Sequence, residues 1–244
     1  MMHTIRFEAR FTYDFVRRFL PRGCERILEV GCGTGELATL LLRDGFRITA
    51  IDGDEEAVDR ARRLGVDARR ADWPDFNEGD FDAVLFTRSL HHIGPLRDAV
   101  DIAAKSLRVG GRIIVEDFAY ESTDERTFRW FISAARIVHA AGLLIDQDEF
   151  LEEILANDAS LAAWERNHDH DLSSAAQIAS TLETTFGSIT TEEAAYYFRY
   201  FAKAMGDLEQ RDAVAEAMAE QESYMISHGA ITALGRRFVA TRNV

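Results

Sequence analysis

Between Ile27 and Glu36 the chain reads Ile-Leu-Glu-Val-Gly-Cys-Gly-Thr-Gly-Glu, an apolar run, three alternate glycines and a helix start. Gly31, Gly33 and Gly35 let backbone approach a ligand closely, and the helix start offers unpaired amide protons. A dinucleotide loop would read G-x-G-x-x-G. Here Glu36 stands where the third glycine belongs, and a carboxylate there opposes a pyrophosphate. No Gly-Lys-Ser/Thr follows, which excludes a nucleoside-triphosphate loop. Glu29, just before the turn, suits a ligand with a positive group. Asp52 lies 21 residues beyond Gly31, at the end of the next apolar run. A carboxylate there can accept both hydroxyl protons of a ribose.

A ribose joined to a cation and not to a pyrophosphate describes S-adenosylmethionine, which carries an ammonium and a sulfonium. Methyl transfer from it leaves S-adenosylhomocysteine and needs an in-line nucleophile in a site that excludes water. His91 and His92 follow the fourth apolar run, and a neutral imidazole there can take a proton from a hydroxyl or an amine. The competing reading is that both histidines shape the pocket. Glu116 and Asp117 end the fifth run, and one of them could bind a substrate cation or act as base; the competing reading is a helix cap or a solvated acid. Asn167-His168-Asp169-His170-Asp171 has metal-ligand residue types, but it reads better as a helix stop followed by a cap, so no metal is expected. Tyr120, Phe128, Trp130, Phe131 and Trp164 could stack a flat substrate or form a core.

The elements that must position these residues alternate. Phe7, Phe11, Phe15 and Phe19 recur every fourth residue on a helix that Pro21 stops. Strands are predicted at Arg26–Val30, Arg47–Ile51, Ala68–Ala71, Phe81–Phe86 and Arg112–Val115, the last after the turn residues Gly110 and Gly111. Helices are predicted at Gly35–Asp44, Glu55–Arg63 and Leu96–Leu107, with Asp54 capping the second. Strand and helix in alternation predict βαβ units and a parallel sheet covered on both faces. From Glu125 to Thr185 the chain reads as helices alone; two more strands are predicted at Ser188–Phe198 and Ile231–Thr241, with a helix at Ala202–Ser227 between them. The expected fold is α/β: a doubly wound, mostly parallel, seven-stranded sheet with a helical insertion between the fifth and sixth strands. Residues 1–21 would be a helix covering the cofactor side and 22–118 the cofactor core. Residues 119–186 would be a lid or substrate region, and 187–244 would complete the sheet.

Residues 22 to 118 resemble a Rossmann-like class I S-adenosylmethionine-dependent methyltransferase, most closely the group that includes the ubiquinone and menaquinone biosynthesis enzymes. Glu29 to Gly35 matches the family's first motif, whose glycine backbone lies along the methionine part of the cofactor. Asp52 matches the ribose acid. Ala71-Asp72-Trp73 matches the segment where an acid meets the adenine amino group. Thr87-Arg88-Ser89-Leu90-His91-His92-Ile93 matches the segment whose first residues touch the methionine part. The resemblance thus implies cofactor contacts at Glu29, Gly31, Gly33, Gly35, Asp52, Gly53, Asp72, Trp73 and Thr87, with His91 and His92 as candidates for catalysis. The family often has a bulky apolar residue after the ribose acid, packed on the adenine; Gly53 stands there, and Trp73 is the candidate to replace it.

Thr87-Arg88-Ser89-Leu90 stands where enzymes acting on exocyclic amines carry Asn-Pro-Pro-Tyr, and Thr87 replaces the acid of a magnesium-dependent catechol site. With a formal charge of −14, the chain would be repelled by a nucleic-acid backbone. No run approaches the roughly 20 apolar residues of a membrane span. Two cysteines, Cys24 and Cys32, form no disulfide framework and suit a reducing cytoplasm. The expected partner is a small-molecule acceptor, an aromatic one among the options. Two other uses of such a site stay open: a catalytically silent cofactor-binding regulator or subunit, and an enzyme using the cofactor for chemistry other than methyl transfer.

Overall fold

The computed structural model describes residues 5–156, 160–168 and 172–243. In chain order its elements are α1 (Phe7–Phe19), β1 (Arg26–Val30), α2 (Glu36–Arg43), β2 (Arg47–Asp52), α3 (Glu55–Arg63), β3 (Asp67–Arg70) and β4 (Phe81–Thr87). Then come α4 (Leu96–Ser106), β5 (Leu107–Phe118), α5 (Glu125–Ala140), α6 (Glu149–Leu155) and α7 (Leu161–His168). The chain ends with α8 (Ala175–Phe186), β6 (Ile189–Ala194), α9 (Phe198–Ala204), α10 (Arg211–Ser227) and β7 (Gly235–Thr241). The strands make one seven-stranded sheet in the order β3-β2-β1-β4-β5-β7-β6. β1 to β5 pair in parallel, and β7 runs antiparallel, so the sheet is mixed, with the helical insertion between β5 and β6.

Residues 5–117, 172–192 and 236–243 form one compact unit, and 118–156, 160–168 and 193–235 fall in a second. In the first, every residue of β4 is buried, as a central parallel strand covered on both faces requires. Ile27, Ile48, Ala50, Leu85 and Ile114 form its core with Leu41 of α2 and Val58 of α3. The fourfold phenylalanine spacing does make α1 amphipathic: Phe15 and Val16 are buried in the same core, with Phe19 half-buried against it. α1 ends at Phe19, and Leu20, directly before Pro21, is already extended because the proline ring disfavours helix there.

β5 is longer than predicted, because Leu107 already pairs with Phe81. The Gly110-Gly111 pair is absorbed inside the strand, where the register against β4 shifts between Phe81 and Ala83. β6 is shorter, and the reason lies in the second unit. There the Glu222 carboxylate is buried and accepts the amides of Tyr196 (2.5 Å), Tyr197 (3.0 Å) and Phe198 (3.1 Å). Those amides are withdrawn from the ladder, and Phe198 starts α9 instead of ending a strand. The predicted helix at Ala202–Ser227 is two, α9 and α10, separated at Met205–Gln210.

The second unit is built round aromatic rings. Phe128, Phe131, Trp164, Tyr197, Phe198 and Phe201 are fully buried. The Trp164 indole donates to the Tyr120 carbonyl at 3.0 Å and stacks on His168, with ring centroids 4.0 Å apart. His168 Nε2 lies 2.7 Å from the Tyr200 hydroxyl.

Candidate functional site

The carboxyl ends of β1, β2, β3 and β4 border a cleft of about 360 Å³ in the first unit, within the range of small-ligand sites. Its wall follows the sheet order: Asp72 and Trp73 beyond β3, Asp52 and Gly53 at β2, Gly31 and Gly33 after β1, and Arg88, Ser89 and His92 after β4.

The turn after β1 is held by its neighbours. Gly31 and Cys32 donate their amides to the Ile51 carbonyl at 2.9 and 3.1 Å. The Ser89 hydroxyl donates to the Val30 carbonyl at 2.6 Å. Gly31 has φ +74°, and a Cβ on it would stand 2.4 Å from Ser89 Cβ, so no other residue lets the two turns meet. Gly35 is needed for a different contact, since its Cβ would stand 2.6 Å from Ala61 Cβ on α3. Asp52 Oδ2 accepts the Gly33 amide at 2.8 Å, and Oδ1 accepts the Asp54 amide at 3.0 Å. Each oxygen keeps a further lone pair, enough for two ribose hydroxyls. The predicted Asp54 cap is present, accepting from the Glu56 amide at 2.9 Å.

Gly53 lacks a side chain for a spatial reason: a Cβ there would stand 2.9 Å from Asp72 Oδ1, and the carboxylate would have to turn aside. Trp73 borders the cleft but is mostly core. Its indole donates to the Ala99 carbonyl at 3.1 Å and meets Phe86 edge-on at 5.7 Å.

Glu29, Gly35 and Thr87 stand behind the wall. Glu29 lies on β1 between Ala50 and Leu85 and is 1% exposed. Burial pushes its carboxyl up to about 8, Arg88 opposing and Asp52 adding to the shift. Its Oε2 has no hydrogen-bond partner among the described residues. Thr87 is the last ladder residue of β4, opposite Glu116. At Arg88 the backbone turns through the left-handed region, φ +63°, and this aims the next residues along the cleft. Val30, Ile51, Ala71, Arg88, Ser89 and Ile93 also line the wall though the sequence reading gave them no role of their own; Arg88, Ser89 and Ile93 entered it only as part of a matched segment. The available signal was an arginine directly after a strand on an otherwise acidic sheet edge.

The two histidines separate. His92 is exposed on the cleft wall, whereas His91 is buried. His91 Nδ1 lies 2.6 Å from Asp117 Oδ1, and its ring centroid is 4.0 Å from that of His92. Glu116 is buried and bonded in the first unit, so it is not solvated. Among the described residues no group of three His, Cys, Asp or Glu could hold a metal ion; Asp169, His170 and Asp171 lie outside them. No helix among those residues is long and apolar enough to cross a membrane.

A parallel sheet edge with this wall is that of a methyltransferase domain. The family of that description matches residues 3–157, and the chain belongs to it, in the class I S-adenosylmethionine-dependent group. The chain is 31% identical over 163 residues to the ubiquinone biosynthesis O-methyltransferase of Xylella fastidiosa, covering 63% of this chain and 64% of that protein. It is 28% identical over 145 residues to the ubiquinone/menaquinone biosynthesis C-methyltransferase of Zymomonas mobilis, covering 56% of this chain and 60% of that one. The matched region thus spans less than two thirds of either relative. The fold also resembles that of phosphoethanolamine N-methyltransferase 2 from Haemonchus contortus, with S-adenosyl-L-methionine, at a TM-score of 0.59 and 14% identity over 96% of this chain and 53% of that one.

Proposed function

We propose that this chain transfers a methyl group from S-adenosylmethionine to a small-molecule acceptor. The observation that carries the reading is the Asp52 carboxylate, held by the Gly33 and Asp54 amides with lone pairs to spare at the middle of a ligand-sized cleft. The cofactor fits these residues on a second count, because a ligand ammonium would answer the orphaned Oε2 of Glu29. Asp52 would hold the ribose, Asp72 the adenine amino group, and the Gly31–Gly33 backbone the methionine part. Gly53 and Trp73 would border the adenine, with Gly35 and Thr87 supporting the turns. When bound, the cofactor supplies an electrophilic methyl on a sulfonium.

On the protein side, His92 faces the cleft and would take the proton of a hydroxyl or amine acceptor on an imidazole nitrogen. His91 backs it, with its Nδ1 2.6 Å from Asp117 Oδ1 and its backbone amide donating to Asp117 Oδ2. O-, C- and N-methylation all appear in the names of the proteins this chain resembles, so the fold leaves the acceptor atom open. Cys24 and Cys32 are both free, which suits a reducing compartment, the cytoplasm in our reading. The test is to supply S-adenosylmethionine with phenol, carboxylate, amine and activated-carbon acceptors and follow S-adenosylhomocysteine. Turnover on any acceptor, lost in Asp52→Ala, supports the reading; cofactor binding without turnover across the panel supports a silent binding protein.

A further inference from the structure

We propose that Arg88 is a carboxylate receptor at the β4 end of the cleft. Among the described residues it is the sole Arg or Lys on the cleft wall, and its side chain is 36% exposed. The carboxylates on the wall, Asp52 and Asp72, lie at β2 and beyond β3. With β1 between β2 and β4 and strands spaced about 4.8 Å apart, the acidic end and Arg88 stand on the order of 10 Å apart. The cleft is therefore polarised along the sheet edge.

The charge on Arg88 is not spent within the protein. Its Nη1 lies 3.4 Å from Glu116 Oε1 and 3.3 Å from the Thr12 hydroxyl, both long contacts. Glu116 already has a closer counterion. Arg237 grips its Oε2 with Nε at 2.9 Å and Nη2 at 2.7 Å, while the Thr12 hydroxyl donates to Oε1 at 2.6 Å. Arg237 in turn is fixed over the rings of Phe11 and Phe15, at 4.7 and 4.5 Å. Two guanidiniums thus share one carboxylate, and the pairing favours Arg237. Glu29, the buried acid whose carboxyl Arg88 pulls down, is itself pushed up to about 8 by burial. Arg88 is thus the more distant of the two guanidiniums on Glu116, and it stands part-exposed on the cleft wall in a chain of net charge −14.

The backbone agrees with this reading. A non-glycine residue at φ +63° is strained, and glycine would relieve the strain at the loss of the guanidinium. A planar fork with one edge resting on Glu116 and Thr12 has the other edge to offer, and a carboxylate matches it. The carboxylate has two sources, the methionine tail of the cofactor or an acidic acceptor. The inference rests on the cofactor reading only for the first.

Calorimetry on the full chain separates them. Wild type should bind S-adenosylhomocysteine at least about tenfold tighter than its carboxamide analogue, and Arg88→Gln should bind the two alike. 5′-Methylthioadenosine, which lacks the tail, should bind both proteins within about twofold. That pattern assigns Arg88 to the cofactor tail. Equal discrimination in both proteins, with benzoate or succinate binding S-adenosylhomocysteine-saturated wild type at least about tenfold better than Arg88→Gln, assigns it to the acceptor. If neither difference appears, Arg88 only ties α1 to β5 and the proposal is overturned. If no nucleoside binds wild type, the cofactor reading fails instead, and the benzoate and succinate titrations on the free protein still decide Arg88. Should Arg88→Gln fold poorly, Arg88→Lys and the wild-type preference for tail over carboxamide carry the test.

Discussion

Replacing Glu29 by Gln should change the pH dependence of stability more than stability at any one pH. Glu29 is wholly buried on β1, and desolvation raises its carboxyl from 4.5 to about 8, against the pull of Arg88 and with the help of Asp52. A carboxyl whose folded pKa exceeds its unfolded one binds more protons in the folded chain between those two values. Stability is therefore full below about pH 4.5, falls as pH rises, and levels off above about pH 8. Each pKa unit is worth about 1.4 kcal/mol, so this group should remove on the order of 4–5 kcal/mol across the window. Gln keeps the shape and cannot ionise; its buried amide costs about 1–3 kcal/mol at every pH. Wild type should be the more stable at pH 5 and Glu29→Gln at pH 8.5, so the two curves cross. Urea unfolding at five pH values between 5 and 8.5, followed by far-ultraviolet circular dichroism, measures this. Curves that stay parallel within about 0.5 kcal/mol would refute the reasoning, because no titration of Glu29 would then distinguish folded from unfolded chains. A ligand ammonium at Oε2 would favour the ionised form. S-Adenosylhomocysteine binding at pH 7 should therefore release a proton in wild type, visible as a buffer-dependent heat, and none in Glu29→Gln.

Asp52→Ala should fold normally and lose about 1.5–3 kcal/mol of S-adenosylhomocysteine affinity by calorimetry, as its bonds to the ribose are charge-assisted. Glu222→Ala strips three buried amides of their acceptor; the expected loss is at least about 3 kcal/mol, read as a lower melting temperature. Trp164→Leu removes a fully buried ring and its bond to Tyr120, and should cost about 2–4 kcal/mol in thermal unfolding while leaving cofactor affinity within twofold.

Much of the first unit was legible because its signals are local. β1 and α3 begin and end where the residues predict, since apolar runs bounded by turn residues and the Asp54 cap act within one turn of chain. The glycine run, with Glu36 in place of a third glycine and Asp52 at the end of the next strand, named the cofactor class without any long-range information. Other features depended on contacts between segments far apart in the chain. Tyr196 and Tyr197 read as strand, yet a carboxylate 25 or more residues later takes their amides and ends β6. Thr87 and Arg88 read as one motif, but the ladder to Glu116 holds the first behind the wall while a left-handed turn sends the second onto it. Adjacent histidines look alike in sequence; Asp117 draws His91 inward and leaves His92 at the cleft. Residue type and spacing determined which ligand this sheet edge suits. Which side chains face that ligand was decided by tertiary contacts, because burial and pairing hold Glu29 and His91 behind the wall and leave Arg88 and His92 on it.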